Sequence, residues 1–360
     1  MALPPPRRPL KGHGVLSNPP GRFNRERTEA VDDGWYLEQE DAGRVPTSIE
    51  PDRARSVITT NDSPDVGFDY SINPYRGCAH ACSYCYARPS HAYLGLSPGL
   101  DFETRLFYKA DAARVLTAEL GRRGYVCRPI AIGANTDPYQ PVERRLRVTR
   151  SILEVLQSCR HPVSIITKSS LIVRDLDILR DLARQHLAQV TVSVTTLDAE
   201  LKRRLEPQAA APQARLATIR ALAGEGIPVA VLVAPVIPAI TDHELERIVE
   251  AAAAAGATSA GYVLLRLPYE VKSLFREWLA EHYPQRAEHV MSLIHALRGG
   301  ADNDPRFGHR MRGTGPFAEL LARRFQLACG RAGLEGKRSV PLTTTLFRRP
   351  GPQGELALDL

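Results

Sequence analysis

Six short, β-branched apolar runs recur along the chain, separated by segments of helical spacing. The runs are FDYSINP (Phe68–Pro74), PIAIGAN (Pro129–Asn135), VSIITKS (Val163–Ser169), VTVSVTT (Val190–Thr196), PVAVLVAPVI (Pro228–Ile237) and AGYVLLR (Ala260–Arg266). Between them, Val142, Leu146, Leu153 and Leu156 form one apolar stripe, Leu216, Ile219 and Leu222 a second, and Leu245, Ile248, Val249 and Ala252 a third. The third opens with TDHE, where Thr241 is placed to cap a helix and Glu244 to reach back. Strand-then-helix units returning about every 30 to 40 residues predict an α/β fold with a parallel sheet buried on both faces. The period suits an open doubly wound sheet or a curved, incomplete (β/α) barrel. In either, ligands gather at the C-terminal ends of the strands.

The flanks read differently. PPPRRP and SNPPGR give residues 1–31 the composition of a disordered N-terminal segment. Residues 32–67 are polar with one strand-like piece, RSVITTN, and read as an extension packed on the core at 68–267. Beyond Tyr269, YEVKSLFREWLAEHYP and the stretch to Arg298 read as helices; a Gly- and Arg-rich loop and a helix over Phe317–Ala332 follow, making 268–349 a helical extension. Residues 350–360 read as a flexible tail. Its GELALDL faintly resembles peptides that dock to the bacterial sliding clamp, with Gln353 displaced and no Phe after Leu358.

Hydrophobic content of 43% and charged content of 24% leave enough apolar surface for a sizeable core. No apolar leader or run of membrane-spanning length is visible, which predicts a soluble, cytoplasmic protein with no membrane partner. Six cysteines are too few for a disulfide framework, and a tight group of them in a reducing compartment points to metal binding or catalysis. Cys127, Cys159 and Cys329 lie far apart and read as small buried hydrophobes. The net charge of +7 leans towards a polyanionic partner. Arginines group in ERRLRVTR (Glu143–Arg150), KRR (Lys202–Arg204) and RFGHRMRG (Arg306–Gly313), although solvated helix faces explain most such groups. RFGHRMRGTG suits phosphate contact and suits a structural loop equally well.

The chemistry concentrates in SINPYRGCAHACSYCYARPSHAY, directly after the first predicted strand, with Cys78, Cys82 and Cys85 inside eight residues. A structural zinc site takes four ligands, for which His80 or His91 would have to join; a cubane iron–sulfur cluster held by three cysteines leaves its fourth iron open.

CAHACSYC is CxxxCxxC with Tyr84 before the last cysteine, and it resembles the signature of the radical S-adenosylmethionine (radical SAM) superfamily. DDGWY, SINPYRGC, YCYARPSHAYLGLSPGLDFET, GANTDPYQPVE, TKSSLIVRDLD, SVTTLD, VAPVIPAITD and RMRGTGPFAEL extend the likeness from about Asp32 to about Arg349. They resemble an uncharacterised bacterial family grouped with spore photoproduct lyase under the label DNA repair photolyase. The resemblance implies a partial (β/α)6 TIM-like barrel, a [4Fe-4S] cluster on Cys78, Cys82 and Cys85, and S-adenosyl-L-methionine as cofactor. It also implies a reductant protein such as flavodoxin or ferredoxin. The implied activity is formation of a 5′-deoxyadenosyl radical that abstracts a substrate hydrogen, in a lyase or transferase reaction, with nucleic acid (repair or modification) a candidate substrate.

Several residues are then candidates for holding the cofactor. Tyr84 and Tyr86 flank Cys85 and suit packing against adenine or the methionine chain. Thr136 and Asp137 follow the second strand where the spore lyase contacts its cofactor. Lys168 ends the third strand, and a lysine there needs an anion such as the methionyl carboxylate. Ser193 and Thr195 share one face of the fourth strand, and Val236 and Ile237 end the fifth, where the superfamily commonly packs adenine. Asp137, Tyr139 and Glu143 are candidates for substrate binding or proton transfer, Glu143 being equally good helix-terminus electrostatics. Glu206 and Arg215 are a candidate pair. Ordinary packing explains each of these positions too.

One departure stands out. The spore lyase returns a hydrogen atom from a cysteine near the end of its second strand, where this chain has Ala134–Asn135, and Cys127 lies at the strand's opposite end. That argues against thymine-dimer reversal by the same route. The alternative reading of the whole is a non-catalytic zinc module that binds nucleic acid through its basic surface.

Overall fold

The structure is a computed structural model that describes residues 10–24, 45–334 and 341–351. Its strands are β1 (Ser48–Pro51), β2 (Ile58–Thr60), β3 (Tyr70–Ile72), β4 (Tyr75–Arg76), β5 (Arg105–Tyr108), β6 (Ile130–Ile132), β7 (Val163–Thr167), β8 (Ala188–Ser193), β9 (Val229–Val236) and β10 (Ser259–Leu264). A seven-stranded sheet runs in the order β10-β9-β8-β7-β6-β3-β2. From β3 to β10 every neighbouring pair is parallel, so each of the six apolar runs supplies one parallel strand. β2 adds antiparallel to β3, with Ile58 opposite Ile72. β10 and β2 form the two edges, which leaves the barrel open: a partial (β/α)6 barrel, as the resemblance implied. A small sheet, β1-β5-β4, stands beside it.

Alternation within the strands decides which face meets which layer. In β9, Val229, Val231 and Val233 are buried while Ala230, Leu232 and Ala234 are only partly so. The fully covered set packs in the main core with helices such as Pro212–Gly224 and Leu245–Ala254, and each valine there contributes roughly 1.5–3 kcal/mol. Leu232 and Ala234, on the other face, line the interior cavity. A second apolar cluster joins Cys82 and Tyr84 to Trp278 and Phe275 of helix Val271–His282 and to Val290 of helix Ala287–Leu297. Trp278 Nε1 donates to Arg204 O at 2.9 Å, tying this C-terminal layer to the barrel. Among the described residues no helix is long and apolar enough to cross a membrane.

Three expectations change. The stripe from Val142 to Leu156 is two helices, Glu143–Leu146 and Val148–Ser158, divided at Arg147, whose φ is 53°. Thr241 does not cap the following helix: its hydroxyl takes Ile237 N at 2.8 Å, and Glu244 serves Leu197 N at 3.2 Å and the Thr196 hydroxyl. Residues 10–24 are also not a loose leader. Val15 and Leu16 are buried, Gly14 N donates to both carboxylate oxygens of Glu103 (3.3 and 3.2 Å), and Ser17 Oγ donates to Glu277 at 2.6 Å. A Cβ on Gly14 would stand 1.7 Å from Ala81 O, so only glycine lets this strap lie against the cysteine loop. Composition averaged over the whole segment conceals the buried Val15–Leu16 pair. DDGWY, the GELALDL tail and the rest of residues 1–31 lie outside the described residues.

Candidate active site

A cavity of about 280 Å³ opens where the parallel strands end. The thiols of Cys78, Cys82 and Cys85 line it, together with Ala134–Asp137 after β6, Lys168 after β7, Ser193 closing β8, Ala234 and Pro235 in β9 and Arg266 after β10.

The cysteine loop is held by groups other than its thiols, which form no disulfide. Cys78 N donates to Phe102 O at 2.9 Å and Ser83 N to Leu205 O at 2.9 Å. Gln140 accepts from Ala79 N at 2.8 Å and donates to Gly77 O at 3.2 Å. Arg88, fully buried, donates to Cys82 O through Nε (2.9 Å) and Nη2 (2.8 Å), and to Pro98 O and Gly99 O at 3.1 and 2.9 Å. Glu103 balances its charge. Four hydrogen bonds to main-chain carbonyls and one counter-ion thus set the loop's shape from beneath.

Two carboxylates organise the opposite wall. Asp137 Oδ1 accepts from Thr167 Oγ1 (2.7 Å) and Tyr139 N (2.9 Å); Oδ2 accepts from Lys168 N (2.7 Å) and lies 3.3 Å from His80 Nδ1. Burial works to raise its pKa, but His80 and these donors together hold it below the ordinary carboxylate value. Glu206 is buried beneath Tyr84. It takes the Tyr84 phenol, Thr195 Oγ1 at 2.6 Å, the Arg215 guanidinium and Lys168 Nζ at 3.2 Å. Burial opposes its ionisation, and Arg215 and Lys168 overcome that, so it stays a carboxylate.

The cofactor candidates divide on this geometry. Tyr84, Tyr86, Thr136, Asp137, Lys168 and Ser193 all line the cavity, although the Thr136 hydroxyl is spent on Tyr75 O at 3.0 Å. Lys168 already has an anion in Glu206, so the methionyl carboxylate is not needed to explain its burial. Thr195 sits behind the wall; its hydroxyl, given to Glu206, accepts from Lys168 Nζ at 3.2 Å and lies 2.8 Å from Ala234 O. Val236 and Ile237 do not line the cavity. β9 stays paired to its end, with Val236 opposite Leu264 in the core, and Ile237 joins the cluster around Trp278. Ala234 and Pro235 form the lip instead.

Tyr139 and Glu143 also fall outside the cavity lining. Glu143 is fully buried and accepts from the Tyr75 phenol, from Thr149 N at 3.0 Å, from Arg150 N at 3.3 Å and from Arg174 at 2.7 Å, which makes it the internal cap of helix Val148–Ser158. The predicted Glu206–Arg215 pair is present. Arg88, Gln140 and Arg266 escaped sequence reasoning. No sequence signal marks the two arginines, because a charge in a loop reads as solvated.

The donor set fits an iron–sulfur cubane. Burial pushes the Cys78 thiol up to about 12, aided by Asp137, and raises Cys82 and Cys85 as well; a bound metal is what converts such thiols to thiolates. Among the described residues no three His, Cys, Asp or Glu side chains converge as a single-ion site requires. A cubane asks for no convergence, since each cysteine takes a separate iron. His80 is engaged with Asp137. His91 lies outside the cavity lining, with Nε2 on Arg105 O at 2.9 Å. Neither is placed as the fourth ligand of a zinc site.

Comparison with known proteins agrees. The family described as "Radical SAM superfamily" matches residues 72–252. An uncharacterised protein of Mycobacterium tuberculosis is 42% identical over 228 residues, covering 63% of this chain and 67% of that protein. An uncharacterised protein of Methanocaldococcus jannaschii is 27% identical over 203 residues, covering 55% and 72%. Spore photoproduct lyase complexed with dinucleoside spore photoproduct shares the fold with a TM-score of 0.55 and 16% identity, over 79% of each chain. From the triplet of thiols at the barrel mouth to the sequence match that spans it, these findings place the chain in the radical SAM superfamily of enzymes.

Proposed function

We propose that this enzyme holds a [4Fe-4S] cluster on Cys78, Cys82 and Cys85 and binds S-adenosylmethionine in the adjoining cavity to abstract a hydrogen atom from its substrate. The observation that carries this is the shared cavity: three cysteines free of disulfides and Lys168 line one space at the carboxyl ends of six parallel strands. When bound, the cluster and S-adenosylmethionine would supply one-electron cleavage of a carbon–sulfur bond and a primary carbon radical.

The chain's own residues would bind, orient and exclude. Tyr84, Tyr86, Thr136, Asp137, Lys168 and Ser193 are the residues proposed to meet the cofactor. Lys168, steadied by Thr195 Oγ1 and Ala234 O, shares Glu206 with Arg215, so its positive charge is only partly compensated and can accept a second carboxylate. Asp137 spends its oxygens joining the ends of β6 and β7, which assigns it to positioning rather than to proton transfer. Tyr84 closes the floor with its ring, and the N-terminal strap covers the loop's outer side, both keeping water from the thiols.

The barrel core is proposed to span 68–267 and the helical extension 268–349. A flavodoxin- or ferredoxin-type reductant in the cytoplasm would deliver the electron. A nucleic-acid substrate is supported by the net charge of +7. The end of β6 presents Ala134 and Asn135 to the cavity, and Cys127 is not in its lining, so no thiol stands there to return a hydrogen as the spore lyase does.

The test is to reconstitute the protein anaerobically, reduce it and incubate it with S-adenosylmethionine and cellular nucleic-acid fractions. The expected products are 5′-deoxyadenosine and nucleosides of changed mass, both lost in Cys85→Ala. Full iron content with no 5′-deoxyadenosine formed would contradict the reading.

A further inference from the structure

We propose that Arg266 is the phosphate site of this cavity, taking a backbone phosphodiester of a single-stranded nucleic acid whose neighbouring base lies on the Tyr86 ring. The proposal rests on the cavity being the active site.

Arg266 follows β10 and forms part of the cavity wall that also carries the cysteines. Among the described residues its Nε is buried with no hydrogen-bond partner, and Nη1 meets the Met311 sulfur at 3.9 Å. No carboxylate among the described residues is within ion-pair distance of it. Asp65, close enough to be felt electrostatically, gives one oxygen to Gly308 N at 2.7 Å and the other to Arg310. Arg310 adds a second positive charge to the same neighbourhood. A guanidinium in such a place bears the cost of lost water without the gain of a partner, as residues do when the partner is a ligand.

Its position is fixed in advance. Arg298 donates to Leu265 O at 2.6 Å and Leu264 O at 3.4 Å, while Leu264 N and Leu265 N donate to Met311 O (2.9 Å) and Val236 O (3.0 Å). The backbone that carries Arg266 therefore has little to lose when an anion arrives.

The chemistry favours phosphate over carboxylate. The Arg266 guanidinium carbon lies 5.2 Å from the Tyr86 ring centroid, the ring is 45% exposed, and its hydroxyl is anchored on Ala134 O. Nearby, Arg310 lies 4.6 Å from the ring centroid of Phe307, which is 55% exposed. Guanidinium forks beside open aromatic faces suit a strand that alternates phosphates and bases; an acidic peptide offers the charge without the planar groups.

The experiment measures anisotropy of a 5′-labelled single-stranded oligothymidylate with the reconstituted, anaerobic full chain over a salt series, with iron content determined on each sample. Arg266→Gln should weaken binding by at least about tenfold and reduce the slope of log Kd against log salt by about 0.7. Arg266→Lys should keep the slope and lose part of the affinity, and it serves if the Gln variant does not fold. Tyr86→Leu should weaken binding about fivefold or more.

Unchanged affinity and slope in Arg266→Gln would overturn the proposal. So would absence of binding by the unmutated protein, or equal competition by a methylphosphonate oligonucleotide or by polyglutamate. Iron-free protein that still shows the Arg266 effect would remove the cluster reading and leave the phosphate site standing.

Discussion

The Lys168 ammonium stands 3.2 Å from Glu206 Oε1, and the other oxygen of that carboxylate is paired with Arg215. Glu206 and Arg215 are fully shielded from solvent, whereas Lys168 keeps 17% of its side-chain surface. Removing the central charge therefore strands a buried cation. Glu206→Gln is expected to lower unfolding free energy by roughly 3–5 kcal/mol, and Lys168→Met by about 1 kcal/mol or less. Urea titrations of both variants measure this, and equal costs would contradict the arrangement.

The Arg88 side chain donates four hydrogen bonds to three main-chain carbonyls around the cysteine loop and none to a thiol. Arg88→Leu strips those carbonyls of their donor and takes from the buried Glu103 its arginine counter-ion, at a cost of about 3–5 kcal/mol, and is expected to reduce iron retained after reconstitution although every cysteine remains. Iron content equal to that of the unmutated protein would show that the loop keeps its shape without this support.

Gly133 closes β6 with φ +97°, and a Cβ there would stand 2.3 Å from Ile166 O on the neighbouring strand. Gly133→Ala combines a left-handed conformation with a clash at the cavity rim. The expected loss is about 1–3 kcal/mol from the backbone alone, read as a lower urea midpoint. A midpoint unchanged within error would contradict the geometry.

His161 is buried; its Nδ1 donates to Pro162 O at 3.0 Å and its Nε2 accepts from the Tyr125 hydroxyl at 2.7 Å. Burial lowers its pKa from 6.5 to about 4. Because the folded value is the lower one, acid protonates the unfolded chain first. Stability is full above about pH 6.5 and falls as pH drops towards 4, by up to about 3 kcal/mol. His161→Gln should flatten the dependence of thermal midpoint on pH in that window. A slope identical to the unmutated protein's would show that other groups carry it.

The six parallel strands were legible because a strand covered on both faces must be apolar along its length, as VAVLVAPV and VSIIT are. The thiol triplet was legible from spacing alone. Sequence does not say where along β9 the cavity stops and the core resumes, so it does not separate Val236 and Ile237, in apolar clusters, from Ala234 and Pro235 at the lip. Glu143 reads as a candidate acid until the fold surrounds it with Tyr75, Thr149, Arg150 and Arg174. Arg88 and Arg266 stayed hidden for a related reason: charge in a loop reads as solvated, and only tertiary packing shows the one sealed beneath Cys82 and the other left without a carboxylate.

What the three thiols hold is read from the metal content of the reconstituted protein. Anaerobic reconstitution is predicted to give about four iron and four labile sulfide per chain, with loss of both in Cys78→Ala, Cys82→Ala or Cys85→Ala. One zinc per chain, with neither iron nor sulfide, would contradict it.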